Sequence, residues 1–158
     1  MRSVNRLAVG DAAAWLLASA VWTAALAAQN GRFEASRYFR GPGGNVVCGY
    51  FSGAGLPQLL ECGVAAQLAP PPPRPSAHGC GGLDFAGNRI RLDATGPAFG
   101  FCSGDAGVLA ELHSAPRLTP GANWHQGSFT CNVSVEWVSC SNTSRHGFSI
   151  SRYHWHPR

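Results

Sequence analysis

Six cysteines, Cys48, Cys62, Cys80, Cys102, Cys131 and Cys140, constrain this chain more than any other feature. Their even number, and the lack of any C-x-x-C spacing, argue for a disulfide framework rather than thiolate metal sites or redox catalysis. All six follow an N-terminal stretch that reads as a secretory signal. Arg2 and Arg6 form a short positive region, Ala12 to Leu26 is almost unbroken apolar sequence, and Ala25-Leu26-Ala27 supplies the small residues a signal peptidase reads. The expected division is therefore a helical signal peptide at residues 1–27 and one disulfide-stabilised domain at 28–158. A retained anchor is the alternative, because Ala12 to Ala28 approaches the roughly 17 residues a spanning helix needs.

About 130 residues remain after cleavage, one domain's length. None of the basic residues is a lysine. With Arg2, Arg6 and Asp11 set aside, ten arginines face seven acids, a balance of +3. That mild, dispersed excess is not the dense basic patch of a nucleic-acid binder. No later stretch is long and apolar enough to span a bilayer, so a secreted or periplasmic monomer, with no membrane contact after cleavage, is expected.

The chain reads as short strands between closely spaced turns. Gly41-Pro42-Gly43-Gly44-Asn45 precedes a strand at Val46 to Phe51, Ser52 to Gly55 turns the chain, and Gln58 to Val64 returns. Leu83 to Phe85 and Arg89 to Leu92 flank a plausible hairpin turn at Ala86-Gly87-Asn88, and Ile90 and Leu92 alternate with polar neighbours as in a half-buried strand. Val108 to His113 has room for a helical turn or two, and Phe129 to Cys140 and Gly147 to Tyr153 complete the strands. The fold class expected is all-β, a small sandwich or barrel of short antiparallel strands. Residues 69–75, Ala-Pro-Pro-Pro-Pro-Arg-Pro, cannot join a sheet ladder and read as an extended connector between Val64 and Cys80.

Six cysteines permit fifteen connectivities. Sequential pairing is preferred because it closes three local loops, each worth about 3 kcal/mol in the chain-entropy account. Cys131 with Cys140 is the pair geometry favours least. A straight strand between them would hold them roughly 30 Å apart, and Val135-Glu136 is poor turn chemistry. A weak internal echo links Gly44-Asn45-Val46-Val47-Cys48 to Gly127-Ser128-Phe129-Thr130-Cys131, each followed by a second cysteine, as two disulfide-closed hairpins would be.

Gly44-Asn45-Val46-Val47-Cys48, Cys102-Ser103-Gly104-Asp105 and His146-Gly147-Phe148-Ser149-Ile150-Ser151-Arg152, in that order, resemble a family of small exported six-cysteine bacterial proteins. The family occurs in actinobacteria and proteobacteria and is known as a domain of unknown function. The likeness runs from about Phe39 to Tyr153, with departures at Gly41 to Gly44, at Arg145, and at Val135 to Val138, where a glycine turn is usual. It implies export and a disulfide-bonded β domain, and it implies no activity.

Few residues suggest chemistry. His146 with Asp105 is the most catalytic-looking pair, an imidazole with a carboxylate to orient it, and Ser103, Ser149 or Ser151 would have to be the nucleophile. No serine sits in a Gly-x-Ser-x-Gly elbow. The simpler account has Asp105 capping a turn and His146 packing beside Phe148. His146, His154 and His156 invite a metal-site reading, but a frayed C-terminal tail is the plainer expectation. Asn132-Val133-Ser134 and Asn142-Thr143-Ser144 fit the glycosylation pattern and read as strand-edge and turn residues in a bacterial protein. Trp124, Trp137, Tyr153 and Trp155 offer ring faces that stack on sugars when exposed, although aromatic residues more often fill cores. The function expected is a non-enzymatic binding or structural module of the cell envelope or extracellular space, without metal or cofactor, whose partner is an envelope component or another protein. A small hydrolase using His146 and Asp105 is one alternative. A protease inhibitor presenting Ser52 to Leu60 is another.

Overall fold

The fold is described from a computed structural model, which covers residues 37–75, 80–102 and 104–158. The expected signal peptide and Ser103 lie outside the described residues. Among the described residues ten strands form two antiparallel sheets, each a simple meander. The first contains β1 (Arg37–Arg40), β2 (Val46–Gly53), β3 (Leu56–Val64), β4 (Phe85–Asp93) and β5 (Phe99–Cys102). The second contains β6 (Asn123–Gln126), β7 (Phe129–Val133), β8 (Val138–Asn142), β9 (Gly147–Ile150) and β10 (Trp155–Pro157). A short 3₁₀ turn, Gly107–Glu111, lies in the segment that joins them. Among the described residues no helix is long and apolar enough to cross a membrane.

Period-two alternation makes the sandwich. Cys48, Tyr50, Leu60, Cys62, Ile90 and Leu92 point inward from the first sheet and meet Phe129, Cys131, Val138, Cys140, Phe148 and Ile150 from the second in one buried cluster. Rings bridge the layers, Tyr50 with Phe129 at 6.0 Å and Phe39 with Trp124 at 4.9 Å between centroids.

All three disulfides join sequential cysteines. Cys48 lies directly opposite Cys62 across β2 and β3, with Cα atoms 4.1 Å apart. Cys131 lies opposite Cys140 across β7 and β8, 4.0 Å apart. The internal echo thus corresponds to one disulfide-closed hairpin per sheet. The chain does turn between Cys131 and Cys140, and Ser134 makes the turn possible. Its N–H donates to the Trp137 carbonyl at 2.8 Å while its hydroxyl accepts the Trp137 N–H at 3.0 Å.

The proline segment straps the open side of the sandwich. Proline lacks an N–H but keeps its carbonyl. Pro70 accepts from Trp155 Nε1 at 2.9 Å and Pro73 accepts from the Gly100 N–H at 2.7 Å, linking the edges formed by β10 and β5. On the opposite side, Arg40 of β1 exchanges backbone hydrogen bonds with Pro116 and Leu118, which covers that edge.

Two local expectations are corrected. Ala86-Gly87-Asn88 is not a turn but an irregularity inside β4. Its polar groups bond elsewhere: Gly87 O accepts from the Leu68 N–H at 3.2 Å, and Asn88 Nδ2 donates to Val64 O at 2.9 Å. The C-terminus does not fray, because Trp155–Pro157 pairs with β9 and Arg158 exchanges two backbone bonds with Gly147.

Candidate functional site

The two outer faces of the sandwich differ in kind. The first sheet's outer face is roofed by its own chain. Gly49 and Gly63 lack side chains there; the Tyr38 ring and Val108 fill the space a Cβ would occupy at Gly49, and Leu109, Val108 and the Arg89 stem fill it at Gly63. Beneath this roof lies an ion pair, Arg89 NH1 to Glu61 Oε1 at 3.1 Å, with side chains only 2% and 3% exposed. Glu61 also accepts the Val108 N–H at 3.3 Å. Arg89 NH2 donates to Asp105 O at 3.0 Å, and the guanidinium lies 4.8 Å over the Phe101 ring. Burial pushes the Glu61 carboxyl above its ordinary range, against the opposing pull of Arg89 and the Val108 N–H. Burial likewise raises the Tyr38 hydroxyl, with help from the charges of Glu111 and Glu61. The Asp105 carboxylate is exposed and accepts the Gly107 N–H at 2.9 Å. It caps the turn that leads into Gly107.

The second sheet's outer face is open, and its register lines up polar side chains. Asn123, Asn132, Ser139, Ser149 and His156 stand opposite one another across all five strands. Beside them run His125, Thr130 and Ser141. Each is exposed or half-exposed. His125 Nδ1 and Thr130 Oγ1 lie 3.0 Å apart, and the hydroxyls of Ser139 and Ser149 2.8 Å apart. Neither row carries a carboxylate or a guanidinium, and Arg158, whose backbone pairs with Gly147, stands at the margin of the second row.

Trp137 borders this face. Its ring is half-buried and lies 5.2 Å from the His156 ring at an interplanar angle of 33°. Beyond it, the turns after β1, β7 and β9 enclose a cleft of about 290 Å³ lined by Pro42, Asn45, Val135, Glu136, Trp137 and Arg152. Val135, at the tip of the β7–β8 turn, is 70% exposed.

The other residues singled out in the sequence have different surroundings. Trp124 packs on Phe39, and Trp155 is buried under the proline strap. Tyr153 is exposed beneath the Arg152 guanidinium, 4.9 Å from its ring. His146 is exposed in the β8–β9 turn of the second sheet, whereas Asp105 belongs to the loop over the first. His154 Nδ1 meets Ala69 O at 2.9 Å, and His156 faces Trp137. Among the described residues the one cluster with metal-ligand geometry is Cys48, Cys62 and Cys140, whose sulfurs are all committed to disulfides. Asn142 is buried with both ends of its amide in use, donating to Asp93 O and Gly96 O and accepting from the Ser144 and His146 N–H groups. Ser52 to Leu60 forms the β2–β3 hairpin, turning at Ala54-Gly55.

Neither the pairing of His156 with Trp137 nor the polar row is among the sequence-based expectations. The alternation Ser139, Ser141 within β8 and Thr130, Asn132 within β7 was the available signal. Comparison with protein-family models, curated proteins and solved structures finds no match for this chain.

Proposed function

We propose that this chain is an exported, non-enzymatic binding module of the cell envelope or extracellular space, related to the small six-cysteine bacterial proteins it resembles. Three disulfides suit an oxidising compartment. The observation that carries the binding reading is the Trp137–His156 ring pair, set between an open polar face and a cleft walled by three turns. Partly exposed aromatic rings beside a concave surface with a few polar groups are the usual ingredients of a recognition site. The buried Glu61–Arg89 pair is sealed under Val108 and Asp105 and so reads as architecture rather than as a reaction centre.

The test is retention of the purified protein on cell-envelope fragments, comparing the wild type with Trp137→Ala and with Arg74→Ala, an exposed position on the proline strap. Loss of retention in Trp137→Ala alone is expected. Equal retention of all three proteins, or hydrolysis of ester, amide or glycoside substrates that His146→Ala abolishes, overturns the reading.

A further inference from the structure

We infer that the outer face of the second sheet binds a linear, uncharged polysaccharide, laid along the row Asn123, Asn132, Ser139, Ser149 and His156 and anchored on Trp137. The inference rests on the binding reading above and names its ligand class. The charge of the face selects the class. The protein's charges are its arginines and a few acids, yet the central row has neither guanidinium nor carboxylate. Its single ionisable side chain is the His156 imidazole, so a polyanion or a polycation would find no run of fixed counter-charges along it. Hydroxyl and amide groups both donate and accept, which matches sugar hydroxyls whichever way each one points.

The geometry supplies length and an anchor. Five strands about 4.8 Å apart place polar groups at regular intervals over roughly 19 Å, room for several sugar units in line. The row ends at His156, against whose ring Trp137 stacks. A wide aromatic surface there suits the apolar C–H face of a pyranose. The first sheet presents no such continuous row, since Val108 and Leu109 cover its outer face at Gly49 and Gly63. Part of the second face is also pre-ordered, because Ser139 is bonded to Ser149 and His125 to Thr130 before any ligand arrives. Rigid side chains lose less rotamer freedom on binding.

The experiment is co-sedimentation of the full protein with cellulose and chitin as neutral polymers and with alginate beads as an anionic one, at low and high salt. The variants are Trp137→Ala, Ser139→Asp and, off the face, Arg74→Ala. Each is checked for an unchanged unfolding midpoint and intact disulfides. The inference expects binding to a neutral polymer that high salt leaves unchanged, that drops about tenfold in Trp137→Ala, that drops similarly in Ser139→Asp, and that is unaffected in Arg74→Ala. Binding only to alginate with steep salt dependence overturns it, as does self-association of the protein through this face. Trp137-dependent retention on envelope fragments without binding to any neutral polymer also overturns it, while leaving the broader binding function standing. Retention on envelope fragments that ignores Trp137 removes that function as well.

Discussion

The sulfur of Cys48 in the first sheet lies within 4.8 Å of the sulfur of Cys140 in the second. The disulfides Cys48–Cys62 and Cys131–Cys140 therefore stack on one another at the centre of the sandwich, each holding one hairpin while supplying fully buried packing to the other sheet. Replacing Cys48 and Cys62 together by alanine should cost about 3 kcal/mol of loop-closure entropy and a further 1–2 kcal/mol, roughly, for the gap left against Cys140. The Cys80–Cys102 bridge closes a loop of similar length but is only half-buried. Its removal should cost about the entropic 3 kcal/mol alone. Denaturant unfolding of the two double variants measures the difference, and a larger loss at Cys80–Cys102 would contradict the stacking argument.

The Glu61–Arg89 pair makes a second prediction. Arg89→Met leaves a carboxylate buried without its partner and should destabilise the fold by about 3–5 kcal/mol, while Glu61→Leu with Arg89→Met should recover most of that loss. The pH dependence follows from the direction of the Glu61 shift. Because the fold raises this carboxyl above its unfolded value, its contribution is fully present below the unfolded pKa and is lost as pH climbs through the folded one. The stability of the wild type relative to Glu61→Gln should therefore fall as pH rises beyond the ordinary carboxylate range. In Arg89→Met the lowering pull of the guanidinium is gone, so the fall should extend to higher pH. Chemical denaturation across a pH series checks both slopes.

Much of the fold was legible because cysteines and period-two alternation coincide in β2, β3, β7 and β8. Both sheets are meanders, so neighbours in sequence are neighbours in space and sequential disulfides follow. The edge strands β1, β6 and β10 are not legible in the sequence, because three or four residues hold too little alternation. The objection to Cys131–Cys140 failed for a local reason. Val135-Glu136 carries no turn chemistry, but Ser134 supplies it through two bonds to Trp137. The candidate binding face was less legible than the fold. Alternation within one strand shows which residues share a face, but a row across five strands exists only once the register is known.

Asn142 joins the β8–β9 turn to the end of β4. Its Nδ2 donates to Asp93 O at 3.0 Å and to Gly96 O at 2.9 Å, and its Oδ1 accepts the N–H groups of Ser144 and His146, both at 3.1 Å. Asn142→Ala should cost about 2–4 kcal/mol, since four part-buried hydrogen bonds are lost at once. Asn142→Asp keeps the two acceptor contacts but sets a second acceptor oxygen against two carbonyls. That variant should weaken further as pH rises and the new carboxyl ionises, a trend Asn142→Ala must lack. Thermal unfolding at acidic and neutral pH separates the two.

Gly107 carries the last prediction, because two separable costs meet there. Its φ is +50°, which an L side chain adopts at a cost of about 1–2 kcal/mol. A Cβ would also press on Arg89 NH1 and approach Glu61 Oε1 within 2.7 Å. Gly55 is the control, with φ +77° and open space around its Cβ position. Gly55→Ala should show the conformational cost alone. Gly107→Ala should exceed it by the cost of displacing the ion pair, and that excess should vanish when Gly107→Ala is made in the Glu61→Leu, Arg89→Met background, where the pair no longer exists. A double-mutant cycle in denaturant reads the coupling directly. Equal losses at Gly55 and Gly107 in the wild-type background would show that the loop yields, and that the 3₁₀ turn does not hold the pair in place.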